Sequence, residues 1–176
     1  MVLFVDAAHF VFGAFMGYLW CFARIFIKTP SGRQRLNVLG AVNSVTRKIT
    51  TIYNETYINA QTVCDFLNVI AKEYKDFPIT LIMDNARYQR CKLVMSLALE
   101  LNIELLFIPP YSPNLNLIER YWKFLKKKCL NAKYYEKFEC FKAAILMGIE
   151  NSNTIWKEQI ITLISTEFQS FKIQKS

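Results

Sequence analysis

Pro78-Ile79-Thr-Leu-Ile-Met83-Asp84 decides the fold. Four of the five residues between the proline and the aspartate are apolar. A short, near-continuous apolar run bounded by a proline and an acid reads as a strand covered on both faces. Helical spacing follows over Tyr88 to Leu101, and a second apolar run over Ile103 to Ile108 reads as another strand. Strand, helix, strand in that order implies an α/β domain with some parallel pairing.

Working outward toward the N-terminus, Ala60 to Tyr74 places Val63, Phe66, Leu67 and Ile70 on one helical face, with Asn59 positioned to cap it. Leu36 to Ser44 and Lys48 to Asn54, rich in Val, Ile and Thr, read as a hairpin. Leu19 to Ile27 suggests a strand before the Thr29-Pro-Ser-Gly32 turn. Val2 to Val5 reads as a strand that ends on Asp6. Toward the C-terminus, Pro109-Pro110 and Ser112-Pro113 stop the last strand. Leu117 to Leu130 then reads as a helix, and Tyr135 to Phe171 as two more. We expect one catalytic unit over 1–134 and a helical extension over 135–176 packed on it.

Composition narrows the function classes. The chain has 176 residues, 53% of them apolar and 15% aromatic, which excludes wholesale disorder. The net charge of +8 points toward a phosphate-rich partner. Cys21, Cys64, Cys91, Cys129 and Cys140 form no C-x-x-C pair, and His9 is the only histidine, so a zinc site is not expected. Reduced cysteines fit a cytoplasmic protein. Ala7 to Ala23 lacks charge, but it is shorter than the ~20 residues of a spanning helix and carries Gly13 and Gly17. No membrane association is expected.

Two apolar strands each end on an aspartate, Asp6 and Asp84. An acid just past a buried strand sits at the carboxyl edge of a sheet, where open α/β sheets bind ligands. It is also a common turn residue. Glu119 lies in the first turn of the helix after the prolines, where Asn116 and Glu119 have the spacing of an approximate capping box. On a helical wheel Leu117, Ile118, Tyr121, Trp122, Phe124, Leu125 and Cys129 share an apolar face, while Lys123, Lys126 and Lys127 flank Glu119. Three acids are the donors that hard divalent cations prefer.

Three blocks resemble the insertion-sequence-six-thirty family of DDE transposases, relatives of the mariner-like elements. They are Leu3-Phe-Val-Asp6, Met83-Asp84-Asn-Ala-Arg87-Tyr88, and Ile108-Pro-Pro-Tyr-Ser-Pro113-Asn-Leu-Asn-Leu-Ile-Glu119-Arg-Tyr-Trp122-Lys123. Thirty-four residues separate Asp84 from Glu119, as in the family. The resemblance implies a ribonuclease-H-like mixed sheet with helices on both faces. It implies Asp6, Asp84 and Glu119 as a triad for two Mg2+ or Mn2+ ions, and cleavage and transfer of DNA strands at transposon ends. Ala7, Gln89 and Leu117 depart from the residues usual there. Family members also carry an N-terminal helix-turn-helix region, whereas this sequence starts five residues before Asp6. The sequence is then the second of two reading frames, a truncated copy or a fragment; the expectation is weak sequence specificity alone, an upstream helix-turn-helix reading-frame product as a candidate partner, and a homodimer when active. The alternative is an inactive or regulatory DNA-binding remnant.

Among the cations, Arg87 and Arg90 just after Asp84, with Lys123, Lys126 and Lys127, are the expected DNA contacts. Basic stretches over 24–48 and 120–142 are further candidates for a phosphate track. His9, three residues past Asp6, reads as a packed or hydrogen-bonded histidine, and Tyr121 and Trp122 read as core.

Overall fold

The structure, a computed structural model, describes residues 1–13, 22, 34–109 and 116–164. Strands β1 (Val2–Val11), β2 (Arg35–Asn43), β3 (Ile49–Asn54), β4 (Ile79–Met83) and β5 (Ile103–Phe107) form one sheet in the order β3-β2-β1-β4-β5. β1, β2 and β3 pair antiparallel, while β4 and β5 run parallel to β1. The helices are α1 (Ala60–Glu73), α2 (Lys92–Glu100), α3 (Leu117–Leu130), α4 (Phe138–Asn153) and α5 (Lys157–Leu163). This is the mixed sheet the sequence predicts.

Alternation along β1 sorts the two cores, because successive side chains of a strand leave opposite faces. Leu3 and Val5 join α1 and α2 on one face; Phe4, Ala8 and Phe10 join α3, α4 and α5 on the other. Asp6 has the parity of Phe4 and Ala8, so it leaves the sheet toward α3.

The hairpin, β4 and α3 lie where the sequence placed them. Asn59 caps α1 through its side chain and the Thr62 N–H, 2.9 Å. Two readings need correction. β1 does not end at Asp6 but continues to Val11, which turns the start of the uncharged 7–23 run into a central strand. The helix predicted from Tyr88 starts only at Lys92, because turns occupy the preceding residues. The strand expected over 19–27, the turn at 29–32, the prolines at 110 and 113, and the tail beyond 164 lie outside the described residues. Among the described residues no helix is long and apolar enough to cross a membrane.

Candidate active site

Sheet register brings the first two acids together. Val2, Leu3 and Phe4 of β1 stand beside Thr80, Leu81 and Ile82 of β4. Carried two residues past the last pair, Phe4 with Ile82, the same offset matches Asp84 to Asp6 at the end where β1 and β4 part. Asp6 is thus a mid-strand residue with Gly40 of β2 as its other neighbour. It does not stand past a strand end, as the sequence suggested; Asp84 does, one residue after β4.

Asn116 brings in the third acid. Its side-chain amide donates to the Val5 carbonyl at 3.0 Å, with both groups buried. That carbonyl sits where the pairing of β1 with β4 has run out, after Phe4. A buried carbonyl without a ladder partner needs another donor, and Asn116 supplies it. The expected capping box is absent: Asn116 is the N-cap of α3 but makes no side-chain cap bond, and Glu119 donates its N–H only to the Asn116 backbone oxygen, 3.2 Å. The first turn of α3 is therefore tied to the residue next to Asp6, and the half-buried Glu119 rides on that turn.

The other two acids lie near enough to Asp6 for their charges to act on it. Burial pushes the Asp6 carboxyl up to about 7, and the charges of Asp84 and Glu119 add to the rise. The Ala7 backbone N–H and the Trp122 indole oppose it. The indole Nε1 is buried near the Asp6 carboxylate but falls short of full hydrogen-bond geometry with any described residue. Glu119 is raised by burial first and by Asp84 last, while Lys123 one turn on holds it down. The phenol of Tyr88 is raised by burial and by both aspartates, so it too borders the site. The tethering by Asn116, the position of Tyr88 beside the acids and the placement of the Trp122 indole are not legible in the sequence. Trp122 stands three residues from Glu119, a spacing that puts both on neighbouring helical rows and could have flagged it.

The donor set suits a hard cation: three carboxylates, one of them buried against like charge. Among the described residues, no three His, Cys, Asp or Glu side chains already converge as a metal cage. Magnesium does not require one, since it takes one or two carboxylates and completes its shell with water and substrate phosphate.

The cations divide. Arg90 is held, its Nη1 donating to Asn85 Oδ1 at 2.9 Å and its guanidinium 5.5 Å from the Phe107 ring centre. Arg87, Lys123 and Lys127 are exposed. Lys126 is half-buried, 5.7 Å from the Phe10 ring centre. His9 leaves the opposite face of β1 from Asp6 and bonds Asn37 Oδ1 at 2.7 Å, so it stays outside the triad. Tyr121 and Trp122 are core, as expected.

A family model described as DDE superfamily endonuclease matches residues 2–142. No curated protein matches. Among solved structures, a pre-cleavage Mos1 transpososome is similar over 97% of this chain and 57% of its own, with a TM-score of 0.61 and 14% identity. A simian T-cell lymphotropic virus intasome, in complex with PP2A regulatory subunit B56 gamma, is similar over 88% of this chain and 48% of its own, at TM-score 0.60 and 14% identity. The Mos1 transposase catalytic domain with Raltegravir and Mn is similar over 97% and 84%, at TM-score 0.58 and 13% identity. At such identities the likeness is one of fold, the ribonuclease-H-like mixed sheet. The chain spans about half the length of the first two structures.

Proposed function

Because the chain belongs to the DDE superfamily of endonucleases, we propose that Asp6, Asp84 and Glu119 are its metal-binding triad and that it cleaves and transfers DNA strands at the ends of an insertion sequence. One observation carries this reading: the register that levels Asp84 with Asp6, joined to the Asn116 tether that brings up Glu119. The substrates are transposon-end and target DNA. Two Mg2+ or Mn2+ ions fit the all-carboxylate set; the Mos1 neighbour with Mn supports that choice of ion. When bound, such ions lower the pKa of an attacking water or hydroxyl and stabilise the leaving oxygen.

The chain's own groups have separable tasks. Asp6 is buried against two like charges, so a cation relieves a repulsion already built into the fold. Lys123 favours the ionised form of Glu119. Arg87, Arg90, Lys123, Lys126 and Lys127 bind backbone phosphates. Residues 1–134 form the catalytic unit and 135–176 a helical extension whose α4 and α5 share the core of α3. The working enzyme is a homodimer in the bacterial cytoplasm, and an upstream helix-turn-helix reading-frame product is the candidate partner for choosing the DNA end.

The test is strand cleavage and transfer on a DNA end with Mg2+ or Mn2+, comparing the natural chain with Asp84→Asn, each with and without any upstream product. The substitution should lower the rate on the order of a thousandfold, the several kcal/mol a metal contributes. If no preparation shows metal-dependent activity that Asp84→Asn removes, the chain is a DNA-binding remnant instead.

A further inference from the structure

A cavity of about 460 Å³ opens at the other edge of the sheet, where β1 and β4 begin and β2 turns into β3. Met1, Arg47, Lys48, Glu73, Tyr74 and Phe77 line it, with Asn153 of α4. Four residues of β1 lie between its rim and Asp6, about 13 Å of strand. None of its lining residues belongs to the triad site.

Two independent features mark it as a binding site. The first is backbone. The β2–β3 turn is closed by Asn43, which accepts from the Arg47 N–H at 3.1 Å and donates to Lys48 O at 3.0 Å. Within that turn Arg47 has φ 59°, the left-handed region that Gly or Asn occupies at least cost. An arginine there runs against the local preference, and such violations concentrate where a side chain has a function.

The second feature is unmatched hydrogen-bonding capacity. Arg47 Nε and Nη1 are buried and meet no hydrogen-bond partner among the described residues. The hydroxyl of Tyr74, a residue only 7% exposed, is in the same position. The neighbouring lysine is answered: Lys48 Nζ lies 2.6 Å from Glu73 Oε1, and Glu73 Oε2 also accepts from Thr50 Oγ1 at 2.8 Å. Arg47 therefore brings a permanent charge and buried donors into a cavity whose lining carboxylate, Glu73, is ion-paired to Lys48 and forms no ion pair with Arg47. Lys157, exposed at the rim, adds to the same sign.

We propose that this cavity binds a small phosphate-bearing molecule, with Arg47 and Tyr74 as donors to its oxyanion. Charge-assisted bonds to the oxyanion satisfy donors that are otherwise costly to bury. The volume falls within the range of small-molecule pockets, roughly 300–1,000 Å³. Buried donors admit a compact anion, whereas a duplex backbone is too broad to reach them. The source is inorganic phosphate or a nucleoside monophosphate, for which Phe77 and the Tyr74 ring provide an apolar wall.

Calorimetric titration of the full chain tests this, with inorganic phosphate, adenosine monophosphate and a short DNA duplex at matched ionic strength. The natural chain and Lys75→Gln, an exposed change outside the cavity, should bind phosphate or the nucleotide saturably and alike. Arg47→Gly should weaken binding by about tenfold or more, the worth of a charged hydrogen bond. Its melting temperature without phosphate should hold or rise, since glycine relieves the φ of 59°. Tyr74→Phe should weaken binding while keeping the ring. Tighter binding of the nucleotide assigns that ligand; equal affinity assigns free phosphate. Absence of saturable binding, unchanged affinity in Arg47→Gly, or stoichiometric displacement by the duplex overturns the proposal. Strand cleavage is a separate readout, so failure here leaves the triad reading standing.

Discussion

The Trp122 ring occupies the place a side chain at Gly40 would take: a Cβ at position 40 would come within 2.8 Å of Trp122 Cη2 and 3.0 Å of Cζ2. Gly40 is also the cross-strand neighbour of Asp6. The bare glycine thus lets the indole settle beside the carboxylate. Gly40→Ala should cost about 1–3 kcal/mol, the usual penalty for overpacking a rigid neighbour. Denaturant midpoints and tryptophan emission should move together, and metal-dependent cleavage should fall. An unchanged emission spectrum would show that the ring had not been displaced.

Asn116 separates helix capping from tethering. Asn116→Ser supplies a side chain that caps well, worth about 1 kcal/mol to α3, but it cannot reach across to the Val5 carbonyl as the amide does. The variant should keep its helix content by circular dichroism yet lose about tenfold to a hundredfold in cleavage, as second-layer changes around metal ligands do. Full activity in Asn116→Ser would mean that the 3.0 Å bond does not position Glu119.

Asp6 gives the metal-free protein a pH signature. Its carboxyl keeps a proton up to about 7 in the fold against 3.8 when exposed. Folding therefore favours the protonated form. This contribution is whole below pH 3.8 and is lost as the pH climbs to about 7. The span corresponds to on the order of 4 kcal/mol. In chelator, Asp6→Asn should stabilise the protein at pH 8, by several degrees in Tm, and by much less at pH 4. Added Mn2+ should raise the Tm of the natural chain at pH 8 and leave the variant unmoved. Equal effects of the substitution at both pH values would contradict a buried, repelled carboxylate.

The exposed lysines of α3 should act through salt. Removing one phosphate contact lowers the slope of log affinity against log salt by about 0.9. Lys123→Ala and Lys127→Ala should each do so and weaken all DNA sequences alike. Arg90→Ala should cost more, because Asn85 and Phe107 already hold its guanidinium. A slope identical to that of the natural chain would remove the lysine from the DNA path.

Much of this was legible in the residues. The apolar run of β4, the spacing of α1 and the wheel of α3 each gave the observed element, because each pattern is local. The sequence shows only the first half of β1, since Ala7-Ala8-His9 offers weak strand signals and owes its extension to pairing with β2. The capping box failed for a related reason. Its spacing is local, but an unpaired carbonyl more than a hundred residues away claimed the Asn116 amide. The levelling of Asp6 with Asp84 is a property of register, which no single stretch contains.

That tether has a consequence for biosynthesis. Asp6 and Asp84 both precede Asn116 and Glu119 in the chain, Asp84 by thirty-two residues and more. A nascent chain can thus complete the β1–β4 pairing while it still lacks both the third acid and the residue that positions it. On the proposed triad, nuclease competence would arrive only when α3 docks. On that same proposal, a chain released before that point would carry two of the three acids and leave the DNA around it uncut.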